Sequence, residues 1–159
     1  GLPTEPIVTN SIDIPTRHGV NGDLKEVFLT SVLKEFPFPE IEGEKFCPEA
    51  LVWFRIARKY NLYFFNQPIY NVEYQTGGLT DYITEIRMKS PVSTTTLYHE
   101  MVNDNISFSQ KVKASINYWR FRFCIGRNFK VAKLPFVWIW TKPIGYLMHK
   151  KDIKNYRTS

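Results

Sequence analysis

Residues 40–60 read E-I-E-G-E-K-F-C-P-E-A-L-V-W-F-R-I-A-R-K-Y, a loop crowded with carboxylates that runs straight into an apolar segment. The acids are Glu40, Glu42, Glu44 and Glu49. Pro48 suits the first turn of a helix, where its missing N–H would be orphaned in any case and its φ is already helical. That puts Glu49 at the helix mouth, where unpaired N–H groups and the positive end of the helix dipole favour a negative charge. Ala50, Trp53, Ala57 and Tyr60 share one helical face, with Leu51, Phe54 and Arg58 beside them, while Arg55 and Lys59 lie on another line. The segment is expected to be a mostly buried helix with a basic edge. Two roles for Glu49 follow: a cap for the first turn, or a proton acceptor held in one direction by a rigid helix.

Downstream of this helix, residues 61–65 (N-L-Y-F-F) and residues 68–75 (P-I-Y-N-V-E-Y-Q) read as strands, the second alternating Ile69, Asn71 and Glu73 against Tyr70, Val72 and Tyr74. Thr76-Gly77-Gly78-Leu79-Thr80 follows as a joint, read either as a plain turn or as backbone N–H groups brought towards an anion. Upstream, residues 2–22 hold three prolines and read as a surface loop with short extended pieces that packs on something else. Residues 23–34 read as a strand at Val27-Phe28-Leu29 followed by a short helix. From Asp81 onward the pattern is helical, with helices expected near 81–89, 92–103 and 107–124, broken by Ser90-Pro91 and Asn103-Asp104-Asn105.

The chain has 159 residues, 43% of them hydrophobic and 16% aromatic, enough for a folded, aromatic-rich body and too apolar for disorder. Gly1 in place of Met reads as an internal cut or a cleavage scar, so the chain is expected to begin inside a larger protein. No apolar run approaches the length of a membrane span. Cys47 and Cys124 lie far apart and outside any C-x-x-C pair, which argues against a zinc site or a disulfide framework and for a reducing compartment. Cys47 reads as a small buried residue.

The formal net charge is +6, but it is unevenly spread. Residues 1–110 carry 9 Lys+Arg against 14 Asp+Glu, a balance of −5, whereas residues 111–159 carry 12 against 1, a balance of +11. The aromatic and basic run L-P-F-V-W-I-W-T-K-P-I-G-Y-L-M-H-K-K-D-I-K near the end is too short and too interrupted by Pro135 and Pro143 to cross a bilayer. Trp138, Trp140 and Tyr146 beside lysines fit either an interfacial anchor on anionic lipid or core packing against the preceding helices. Aromatic and basic residues also alternate between Tyr118 and Arg127, but no nucleic-acid motif accompanies them, so nucleic acid is not an expected partner.

Three blocks, in order, resemble the second half of a bacterial family 2 glycosyltransferase of the GT-A fold: G-D-L-K-E-V-F-L-T-S-V-L-K-E-F-P-F-P, then E-G-E-K-F-C-P-E-A-L-V-W-F-R-I-A, then N-Q-P-I-Y-N-V-E-Y-Q-T-G-G-L-T. The likeness covers about residues 22–80 and, loosely, the helical tail. It implies an α+β arrangement, the C-terminal part of a GT-A-type fold, with a small mixed sheet over residues 1–80 and an aromatic, basic helical region over residues 81–159. In that family an acidic pair before the helix supplies the catalytic base and an arginine often follows one and a half turns later. Glu49 matches the second acid and Arg55 the arginine, while Pro48 stands where many members have the first acid.

The resemblance implies a nucleotide-sugar-dependent transferase of bacterial surface polysaccharide or glycoconjugate synthesis. Glu49 would deprotonate an acceptor hydroxyl, with Asp23, Glu44, Lys45, Arg55, Gly78 and Thr80 as substrate-binding residues. A divalent metal, Mg or Mn, is expected only with a separate N-terminal half, because no D-x-D motif, phosphate loop or nucleotide-binding βαβ unit occurs here. The chain alone is therefore expected to be inactive, cytoplasmic or peripheral at the inner face of the membrane, with a homodimer as one way to cover an open sheet edge. The competing expectation is a non-enzymatic module that binds membrane or a partner through the basic tail.

Overall fold

The computed structural model describes residues 1–20, 22, 24–71, 73, 77–126 and 129–157. Among them are seven α-helices and a two-stranded antiparallel sheet, so the chain is mixed α and β and rich in helix. Its backbone groups into two units, Gly1–Phe38 with Val52–Tyr74 and Pro39–Leu51 with Gln75–Ser159.

In the first unit, strand β1 (Ile7–Thr9) pairs antiparallel with β2 (Leu62–Phe64) in the register Ile7 to Phe64, Val8 to Tyr63 and Thr9 to Leu62. Asn10 ends β1 and starts α1 (Asp13–Arg17), its Oδ1 accepting the N–H groups of Ile12 and Asp13 at 3.0 and 2.9 Å. This side chain supplies the backbone with turn partners before the helix can. Ile14 and Val20 are thereby folded back onto Phe64 to form a small core, with Leu2, Ile7, Leu24 and Leu62 around it. The N-terminal segment does pack on something: it contributes half of the sheet.

Helix α2 (Thr30–Glu35) and α3 (Glu49–Ala57) complete the helices of this part of the chain. Glu35 accepts hydrogen bonds from Lys59 Nζ at 2.6 Å and from the Tyr60 hydroxyl at 2.8 Å. Phe28 and Phe38 lie on the Trp53 ring with centroids 4.5 and 6.0 Å away, so Trp53 is a packing residue. Leu51, Val52 and Ile56 are the most deeply buried side chains of α3. Of the face the sequence pattern favoured, Ala57 is buried while Ala50, Trp53 and Tyr60 are half-buried.

Among the described residues, neither of two expected strands forms. Val27-Phe28-Leu29 is irregular, with Val27 and Leu29 exposed, and residues 68–71 and 73 are not in a strand. Val72, Tyr74 and Gln75 lie outside the described residues. The sheet is purely antiparallel rather than mixed, and β2 is matched by residues 7–9 from the stretch read as loop. Period-two alternation gives a strand a face but no partner, and a ladder needs both.

The second unit is helical: α4 (Ile83–Lys89), α5 (Pro91–Asn103), α6 (Phe108–Arg122), a 3-10 segment (Phe136–Thr141) and α7 (Lys142–Arg157). Pro91 opens α5 at the position where a missing N–H costs nothing. Ser107 and Gln110 form a reciprocal capping box at the start of α6. Tyr98 and Val102 of α5 pack on Ala114, Tyr118 and Phe121 of α6 and on Trp138 of the 3-10 segment. Gly145 lets α7 cross α6 at backbone distance: a Cβ there would sit 2.5 Å from Trp119 Cβ and 2.7 Å from the Ile116 carbonyl oxygen. The same crossing holds the Arg120–Asp152 pair, in which Nε and Nη2 donate to the two carboxylate oxygens at 2.5 and 2.7 Å.

Candidate functional site

The loop 39–48 and the start of α3 meet α4 within the second unit, around an open cavity of about 960 Å³. Its polar lining includes Lys45, Glu49, Thr80 and Arg87, and its apolar lining includes Phe46 and Ile83. Glu49 is the first residue of α3 and is exposed, with Pro48 buried immediately before it. The Leu51 N–H bonds back to the Pro48 carbonyl at 3.0 Å, so Pro48 stands just outside the helix and Glu49 occupies its opening turn. The N–H groups of that turn and the dipole favour a carboxylate at this point.

Thr80 reaches the cavity through a run of tight turns. Asp81, Tyr82 and Ile83 donate their N–H groups to the carbonyls of Gly78, Leu79 and Thr80 at 3.1, 3.2 and 3.4 Å. Gly77 has φ +79°, which favours glycine, and its N–H is taken by the Asp81 carboxylate at 2.8 Å. The joint is thus a turn whose acidic partner comes from its own sequence. Gly78 supplies a carbonyl to it and does not line the cavity.

Glu44 has a structural task. Its two carboxylate oxygens accept the N–H groups of Val92 and Ser93, the latter at 2.9 Å, and so cap the first turn of α5 from a distant loop. Phe46 anchors the same loop: its N–H donates to Ser90 Oγ at 3.2 Å and its carbonyl accepts from Ser93 Oγ at 3.0 Å. These bonds hold the loop that carries Lys45 to the cavity. Arg55 is half-buried further along α3 and is not part of the lining, and Asp23 lies outside the described residues.

Arg87 was missed by sequence reasoning. Its Nη1 donates to the Tyr98 hydroxyl at 3.2 Å, while its Nε is buried and has no hydrogen-bond partner among the described residues. The available signal was its position in I-T-E-I-R-M-K, one turn past Ile83 and next to Ile86, which puts a cation on the apolar stripe of α4. Among the described residues no three His, Cys, Asp or Glu side chains come together as a metal site would require. The site therefore offers one accessible carboxylate, the cationic side chains of Lys45, Arg87 and Lys89, the hydroxyls of Thr80 and Ser90, and an apolar floor, a set suited to a polar ligand that carries some negative charge.

No family model, no curated protein and no solved structure matches the chain.

Proposed function

We propose that the chain is the acceptor-side part of a family 2 glycosyltransferase of GT-A type, with Glu49 as the base that activates the acceptor hydroxyl. What carries this reading is one convergence: Glu49, Lys45 and Thr80, each assigned to substrate by the resemblance, line the same cavity. In an inverting transfer a carboxylate removes the hydroxyl proton as that oxygen attacks the anomeric carbon from the side opposite the leaving group. Glu49 sits on the first turn of a helix in which Leu51 and Val52 are fully buried, so its backbone is fixed while its side chain stays accessible. Lys45 and Arg87 balance negative charge on the bound sugar or its carrier, and Phe46 and Ile83 take the apolar face of a pyranose ring. Glu44 acts indirectly by holding the loop.

The diphosphate half of the chemistry lies outside these residues in this reading. Among the described residues no cluster of His, Cys, Asp or Glu side chains would hold a divalent metal. Titration of the isolated chain with UDP-, GDP- and dTDP-sugars tests the division of labour. The expected result is no saturable binding below the millimolar range. Micromolar binding of any of them would place a donor site within the chain and overturn this assignment.

A further inference from the structure

Between residues 136 and 147 the chain turns most of its large apolar side chains outward. Phe136 is 84% exposed, Val137 67%, Trp140 50% and Leu147 68%, with Ile139, Ile144 and Tyr146 also exposed. Only Trp138 and Thr141 of the 3-10 segment face the core, since three residues per turn places them on one line. In α7 the buried line is Gly145, His149 and Asp152. On the opposite side, Pro143 and Leu147 lie in register with Lys150 and Lys154, with Lys151 beside them. The outward face is thus apolar and aromatic at its start and cationic for the next two turns. The one acid of residues 111–159, Asp152, is committed to Arg120 and adds no negative charge to this face.

We infer that this face is a peripheral membrane-binding surface, which seats Phe136, Trp140 and Leu147 among the acyl chains of an anionic bilayer while the lysines meet its headgroups. The aromatic rings suit the boundary between hydrocarbon and headgroup, and each lysine near an anionic surface adds to the attraction. No helix among the described residues is long and apolar enough to cross a membrane, so insertion would stop at the interface. A second copy of the chain is a poorer occupant. Antiparallel pairing through this face would set Lys150, Lys151 and Lys154 of each copy against the apolar start of the other, and parallel pairing would set them against the same lysines. The inference is independent of any role for Glu49.

The test is co-sedimentation of the chain with vesicles of equimolar phosphatidylglycerol and phosphatidylcholine, compared with phosphatidylcholine alone. Binding is expected to the anionic vesicles only, and to be largely lost near 1 M salt, where the screening length falls to about 3 Å. Tryptophan emission should be quenched by vesicles with brominated acyl chains, a readout that needs no variant. The double substitution Phe136→Glu with Leu147→Glu, and separately Lys150→Glu with Lys151→Glu and Lys154→Glu, should each lower partitioning at least tenfold with an unchanged thermal melt. No binding to anionic vesicles, no quenching, or binding that survives the Phe136 and Leu147 substitutions would overturn the inference. So would a concentration-dependent dimer that the same double substitution dissociates.

Discussion

At the scale of single residues, burial sets the chemistry of two groups that might otherwise be taken for a reactive pair. Cys124 Sγ lies 3.5 Å from His149 Nδ1. Burial pushes the thiol up to about 11 and holds the imidazole below its ordinary value, against the opposing pull of Asp152. Both groups are neutral near pH 7, so the contact is a packed polar pair and not an activated thiolate. A consequence for stability follows from linkage. With the folded value of His149 depressed, the unfolded chain binds the extra proton first as pH falls through 6.5, and stability present above that pH is lost below it. The urea midpoint should therefore drop between pH 7.5 and pH 5.5, and should drop less in His149→Gln. Equal losses in the two proteins would show that His149 does not contribute. Among the three carboxylates of the loop 39–48, Glu44 has two backbone donors and is a cap, and a cap of this kind is worth about 1 kcal/mol.

At the scale of elements, the helices between residues 81 and 124 could be read from the sequence, and so could β2, which lies within the expected 61–65, but its partner strand could not. Ser90-Pro91 and the stretch around Asn103 to Asn105 are local signals, and the helices they bound, Ile83–Lys89, Pro91–Asn103 and Phe108–Arg122, fall within two residues of the expected limits. Strand pairing is non-local, and nothing in I-V-T at residues 7–9 names Leu62–Phe64 as its partner. The crossing of α6 and α7 was equally hidden, because Gly145 in P-I-G-Y resembles any helix-weakening glycine until Trp119 is brought against it. Gly145→Ala would force a methyl group into a side-chain and backbone contact that cannot yield. It should destabilise the protein by about 3 kcal/mol, at the upper end of overpacking effects, as measured by urea denaturation. A loss under about 0.5 kcal/mol would mean that the helices are free to separate there.

At the scale of the whole molecule, the division of charge matches the two proposals made above. The acidic first 110 residues contain the loop that presents Glu49, and the basic last 49 contain the exposed aromatic and lysine face of α7. The candidate site was partly legible: Glu49, Lys45 and Thr80 were all named from three short blocks, and all line one cavity. Arg87 was not, because a basic residue on a short helix looks like solvated surface until the cavity behind it is known. The proposed chemistry depends on one accessible carboxylate at the start of α3. The measurement that addresses it most directly is glycosyl transfer by the complete protein carrying Glu49→Gln, with nucleotide-sugar affinity measured in parallel. If Glu49 is the base, transfer falls by about 10²- to 10⁴-fold, the span of general-base contributions, while donor Kd stays within about twofold. Transfer within a few-fold of the unsubstituted protein would place the base elsewhere and contradict the proposal.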